Sequence, residues 1–148
     1  MTPTIHASAV LVGSRAALIR GPSGSGKSRL ALALIEAAGR GELPFARLVA
    51  DDRAEVEPGN GRLLVRPAPA LAGLIEVRGL GIRQVPHEAV AVIGLVVDLD
   101  AADAARLPDT ASQTCEIERI TLPRLPVAAG RNALPLVLSY LQTVDRLA

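Results

Sequence analysis

Between positions 21 and 28 the chain reads GPSGSGKS, which fits the spacing G-x-x-x-x-G-K-[ST]. Gly21, Pro22, Ser23, Gly24, Ser25 and Gly26 form a loop whose backbone N–H groups can turn inward onto phosphate oxygens. Lys27 is placed to reach the outer phosphates, and the Ser28 hydroxyl to ligate magnesium. A surface turn rich in glycine and serine can match the same spacing by accident, so the flanks matter. AALI precedes the loop as a short apolar strand, and SRLALALIEAA follows it as a helix whose positive end faces the bound phosphate. Phosphoryl transfer on such a loop also needs a carboxylate near the metal and, for a hydroxyl acceptor, a group that takes its proton. Two apolar strands end in acids: RLVADD offers Asp51 and Asp52, and LVVDLD offers Asp98 and Asp100. Spacing alone does not choose between them.

The elements that must position these groups follow from the apolar pattern. AVLVG at 9–13 and AALIR at 16–20 predict a hairpin leading into the loop. The helix after the loop places Leu30, Ala33, Leu34 and Ala37 on one stripe. GRGELP is a loop, and residues 47–52 form a strand. Residues 55–68 predict a β-hairpin around Pro58 to Gly61, polar enough to project from the body. Residues 74–85 are strand-like, with a bend expected at Gly79 and Gly81. The longest apolar run, 89–100, predicts a central strand. DAARLPDTASQT reads as a polar, mobile loop, ERITLPRLPV as a strand near an edge because of its prolines, and the tail from Leu136 onward as a closing helix. One α/β domain over residues 1–148 accommodates all of this.

Composition removes other classes. The formal charge is +1 and aromatic residues make up 1% of the chain, so a broad basic field and base-stacking side chains are both missing and no nucleic-acid partner is expected. No apolar run approaches the roughly 20 residues that span a bilayer. The first residues, MTPTIHASAV, lack a basic stretch with a long apolar segment and a cleavage site, so no secretory signal is expected. A single cysteine, Cys115, allows neither an internal disulfide nor a cysteine-built zinc site. The expected compartment is the cytoplasm.

Five stretches occur in order: IHASAVLV, GPSGSGKS, LVADD, EVRGLGI and AGRN. Together they resemble the catalytic domain of HPr kinase/phosphorylase over about residues 5 to 145. The resemblance implies a P-loop kinase domain of the HPr kinase and PEP carboxykinase type, with a central mixed sheet, a projecting β-hairpin and flanking helices. It implies a compact form consisting of the C-terminal catalytic domain only, using ATP and Mg2+ to phosphorylate a serine of HPr or an HPr-like phosphocarrier protein. Phosphorylase action on phosphoserine by inorganic phosphate is the reverse activity, and a homo-oligomer is the implied assembly. Residue by residue, the resemblance assigns Lys27 to the outer phosphates, Ser28 and Glu76 to magnesium, and Asp51 to the seryl proton. His6 is placed beside Asp51. Asp52, Arg78, Gly79 and Gly81 belong to the active-site stretches, Arg106 is assigned to the transferred phosphoryl group and Arg131 to inorganic phosphate. ARLP stands where the family loop has DRLG, and AGRN where it has PGRN.

Two other functions are compatible with the phosphate loop alone. A small-molecule kinase would need an arginine-rich lid and has no place for EVRGLGI. A regulatory module would bind ATP without transfer and act on a partner such as a sensor kinase.

Overall fold

Leu18 and Ile19 are neighbours in one strand, both fully buried, and they enter hydrophobic clusters on opposite faces of one sheet. Val96 and Val97 do the same in the strand beside them, as the two-residue period of a β-strand requires. A computed structural model describes residues 3–143. Its strands are β1 Thr4–Ile5, β2 Ala7–Val12, β3 Arg15–Arg20, β4 Ala46–Ala50, β5 Ala54–Gly59, β6 Arg62–Pro67, β7 Leu74–Val77, β8 Gly81–Gln84, β9 Ala91–Asp98, β10 Thr114–Ile117 and β11 Ile120–Pro126. The helices are α1 Lys27–Gly39 and α2 Ala133–Gln142. The expected closing helix is therefore present to Gln142, and residues 144–148 lie outside the described residues.

The main sheet runs β1-β5-β6-β9-β3-β2-β4, with β11 also on β9 and β10 on β11. β9 is central: it lies parallel to β3 and β11 and antiparallel to β6. One face packs against α1 and α2, where Leu30, Ala31, Leu34 and Ala37 meet Val10, Ile19, Leu48, Leu95 and Val137. Ala33 falls off that buried stripe and is only half-buried. The other face is closed by the sheet's own curl, with Val56, Leu63 and Val65 against Leu18, Val49 and Val96. Ala7 and Ala9, small and fully buried there, leave room for that approach.

One expectation needs correction and one holds. The β5–β6 hairpin has an exposed tip at Asn60 and Gly61, both at positive φ as a two-residue hairpin turn demands, but its base is built into the sheet through β6–β9 pairing and does not project as a unit. β11 lies near an edge, as its prolines predict, with one strand neighbour along each half. Its first half pairs with β10 and its last three residues with β9.

The bend expected in residues 74–85 is a full reversal: β7 and β8 form a separate two-stranded hairpin, turned at Gly79 with φ 86° and Gly81 with φ 100°. Its base is tied to the outer strand β4. Val85 N donates to Gly73 O at 2.9 Å, Glu88 N donates to Leu48 O at 2.8 Å, and His87 bridges Leu48. This seats β7 beside the end of β4, where the two aspartates lie.

Candidate active site

α1 starts directly in the loop. Gly26 caps it at φ 101°, a left-handed conformation suited to glycine, and no side chain caps that end. The first-turn amides therefore remain free for an anion. Lys27 is buried in the loop and donates from Nζ to Gly21 O at 2.8 Å and Pro22 O at 3.1 Å. Gly21 has a steric reason: a Cβ there would fall 2.5 Å from Ser25 Oγ and 3.0 Å from Leu99 Cβ.

The acids after β4 face opposite ways. Asp51 turns inward and is 6% exposed, and its Oδ1 accepts from Ser28 Oγ and from Ser8 Oγ, both at 2.7 Å. Its Oδ2 accepts from Glu76 N at 3.1 Å. Asp52 adopts φ 66°, which Asp tolerates better than most residues, and that turn throws its side chain outward. Its backbone is held by Ala7 N donating to Asp52 O at 3.1 Å and by Asp52 N donating to Ser8 Oγ at 3.3 Å. His6 Nε2 then meets Asp52 Oδ1 at 2.5 Å. The expected pairing of His6 with Asp51 is thus corrected to His6 with Asp52, because both Asp51 oxygens are already engaged by Ser8, Ser28 and Glu76 N.

His6, Lys27, Ser28, Asp52, Glu76 and Arg78 line one cavity of about 360 Å³, with Leu32 and Val77 as its apolar wall. Ser23, Gly24 and Gly26 bring the phosphate loop to the same space. Gly79 and Gly81 do not line it and act by making the turn that presents Glu76 and Arg78. Pro22 contributes its carbonyl to the loop's internal bonds.

The competing strand end is occupied otherwise. Arg20, paired with Asp98 across β3 and β9, donates Nε and Nη2 to its two oxygens at 2.7 and 2.8 Å, and Arg124 Nε donates at 2.5 Å. Burial alone would raise the Asp98 carboxyl, but the hydrogen bonds from Arg20 and Arg124 outweigh it and hold the group below the usual carboxylate range. Arg124 also grips Asp103, at 2.7 and 3.1 Å, fixing the start of the loop after β9. That loop carries Arg106, which is exposed and lines neither this cavity nor the one holding Arg131. Arg131 lines a second cavity, on the α2 side of the phosphate loop.

Ser8 was not anticipated, although a serine on the apolar strand ASAVLV is a visible signal. Arg29, which lines both cavities, was not anticipated either. Among the described residues no group of three His, Cys, Asp or Glu side chains forms a metal cage. Magnesium on a nucleotide needs none, since one or two protein oxygens with phosphate oxygens and waters complete its shell. The oxygens of Ser28 and Glu76, both on the cavity wall, fit that pattern.

Residues 1–144 match the family described as HPr Serine kinase C-terminal domain. The chain belongs to that family. Among HPr kinase/phosphorylases, that of Geobacillus thermodenitrificans is 37% identical, over 92% of this chain and 46% of the relative. The one from an Exiguobacterium species is 40% identical, over 78% and 39%. The chain therefore spans less than half the length of these curated relatives. The solved HPr(Ser) kinase/phosphatase of Coxiella burnetii superposes with a TM-score of 0.74 at 27% identity, covering 95% of this chain and 88% of that one. Two helices on a curled mixed sheet are thus the HPr kinase fold. No helix among the described residues is long and apolar enough to cross a membrane.

Proposed function

We propose that this HPr kinase C-terminal domain is an ATP-dependent protein serine kinase whose substrate is HPr or an HPr-like phosphocarrier protein. One observation carries the reading: a solvent-facing carboxylate–imidazole pair, Asp52 and His6, opens into the same cavity as the lysine and serine of the phosphate loop. A hydroxyl entering that cavity meets a proton acceptor on one side and the outermost phosphate on the other.

Each side chain then has a task. The loop amides and Lys27 hold the phosphates. Ser28 and Glu76 hold magnesium with the nucleotide, and Asp51 fixes Ser28 from behind. Bound magnesium supplies neutralisation of the phosphate oxygens. Asp52 takes the seryl proton as the hydroxyl oxygen attacks the γ-phosphorus and ADP leaves; His6 orients Asp52. Arg78, on the cavity wall, balances charge on the transferred group, the task the family resemblance implies for Arg106. This reading moves the proton acceptor from Asp51 to Asp52, because both Asp51 oxygens are engaged and enclosed while Asp52 is exposed. In phosphorolysis, an oxygen of inorganic phosphate attacks the phosphoserine phosphorus, the bond to the seryl oxygen breaks as pyrophosphate forms, and protonated Asp52 gives its proton to that leaving oxygen.

The test is incubation of the chain with MgATP and a purified HPr-type protein, read by intact mass. A gain of one phosphoryl group on a serine, abolished by Lys27→Ala, is the expected result. ATP binding with no transfer would reject the kinase reading in favour of a nucleotide-binding regulatory module.

A further inference from the structure

Ser8 is the only polar side chain of β2, ASAVLV, and it is fully buried. Ala7 and Ala9 pack into one hydrophobic cluster and Val10 into the other, so alternation turns Ser8 toward the α1 side of the sheet. Asp51 reaches that same side through a shift in the β2–β4 register. Ala9 pairs with Ala50 but Val10 pairs with Leu48, which leaves Val49 as an extra residue. Val49 and Ala50, although neighbours, therefore pack into the same cluster. Asp51, next in the chain, is re-aimed toward α1, as a β-bulge does beside a functional site.

The hydrogen positions at Ser8 follow from its partners, because a carboxylate only accepts and a backbone N–H only donates. The Ser8 hydroxyl donates its one proton to Asp51 Oδ1 at 2.7 Å and accepts from Asp52 N at 3.3 Å. Ser28 Oγ donates to the same Oδ1 at 2.7 Å. These bonds link Ser28, Asp51, Ser8 and the Asp52 amide in one continuous path. Its far end is the residue at φ 66°, a conformation that a non-glycine residue keeps only where its surroundings fix it. Among the described residues Ser8 is the partner that Asp52 N has.

We propose that Ser8 is a positioning residue for phosphoryl transfer, a role that rests on the reading of Asp52 as proton acceptor. Its hydroxyl holds the turn that separates the enclosed acid from the exposed one, and so keeps the Asp52 carboxylate in fixed register with Ser28 and the phosphate loop. Between two buried alanines, serine is the smallest side chain that can donate and accept at once.

The experiment is a double-mutant cycle of Ser8→Ala and Asp52→Asn, read by single-turnover transfer from MgATP to an HPr-type protein. Calorimetric MgATP affinity and amide exchange at Asp52 in the ligand-free protein accompany it, and melting curves confirm that each variant is folded. Ser8→Cys, close in size but a weak donor and acceptor, carries the test should Ser8→Ala not fold. The expected result is transfer slowed about tenfold or more, faster exchange at the Asp52 amide, and MgATP affinity within about twofold of wild type. In the Asp52→Asn background the same change slows transfer by less than about twofold, because the group it positions is already gone. Effects that multiply in the double variant, MgATP affinity that falls in step with transfer, or a wild-type transfer rate in Ser8→Ala would overturn the inference while leaving Asp52 as the acceptor. Asp52→Asn transferring at the wild-type rate would overturn both.

Discussion

His6 Nε2 sits 2.5 Å from Asp52 Oδ1, joining the link between β1 and β2 to the residue that follows Asp51 beyond β4. Both side chains are solvent-facing, at 45% and 61% exposure, so the contact contributes little to stability. Its consequence is orientation of the carboxylate toward the cavity. His6→Ala should therefore leave the melting temperature and ATP affinity near wild type and lower the transfer rate by about 10- to 100-fold, the range of a misaligned reacting group. Steady-state kinetics with an HPr-type substrate check this through a fall in kcat at nearly constant KM for ATP.

Asp51 has a different task, and its variant should show it. In Asp51→Asn the amide NH2 can no longer accept from Glu76 N if its oxygen keeps the two serine bonds. A buried donor left unpaired costs about 1–3 kcal/mol. The melting temperature should fall by several degrees, and the rise in melting temperature on adding MgATP should shrink because Ser28 is no longer held. Thermal melts with and without MgATP read both effects.

Asp98 serves the fold. Asp98→Asn leaves Arg20 and Arg124 facing an amide, with an expected loss of about 2–3 kcal/mol. This is below the roughly 3–5 kcal/mol of a fully buried pair, because a third of the Arg20 side chain remains in water. The folded-state carboxyl is held below its unfolded value, so its contribution is present above about pH 4 and disappears as pH falls through the lower folded value. Urea melts from neutral pH into the acid range should show a shallower acid loss in the variant than in wild type.

Gly73 anchors the hairpin that presents Glu76. It has φ 77°, and a Cβ there would lie 2.7 Å from His87 Nδ1. Gly73→Ala combines a left-handed alanine, costing about 1–2 kcal/mol, with displacement of that ring. The expected outcome is modest destabilisation with a raised magnesium requirement for transfer, measured by metal titration at fixed ATP. An unchanged magnesium requirement would show that Glu76 does not depend on this anchor.

Much of the site is legible in local sequence because its chemistry is local. GPSGSGKS carries its own turn, lysine and helix start within eight residues. The apolar runs place β3, β4 and β9 because each buries both faces or alternates cleanly. What the chain alone does not reveal depends on direction. Asp51 and Asp52 are chemically identical neighbours, and only the positive φ at Asp52 and the inward hydroxyls of Ser8 and Ser28 separate the enclosed acid from the exposed one. Asp98 looks equally reactive in sequence, since its two arginines lie 78 and 26 positions away. The β5–β6 hairpin reads as polar because its tip is polar, while its buried base answers to a curl formed by distant strands.

The most direct measurement is single-turnover phosphoryl transfer from prebound MgATP to the serine of an HPr-type protein, comparing wild type with Asp52→Asn. An amide cannot take the seryl proton, so the account predicts unchanged ATP affinity with a rate lower by on the order of 10² or more. Asp52→Asn transferring phosphate at the wild-type rate would contradict it and return the proton acceptor to another group in the cavity.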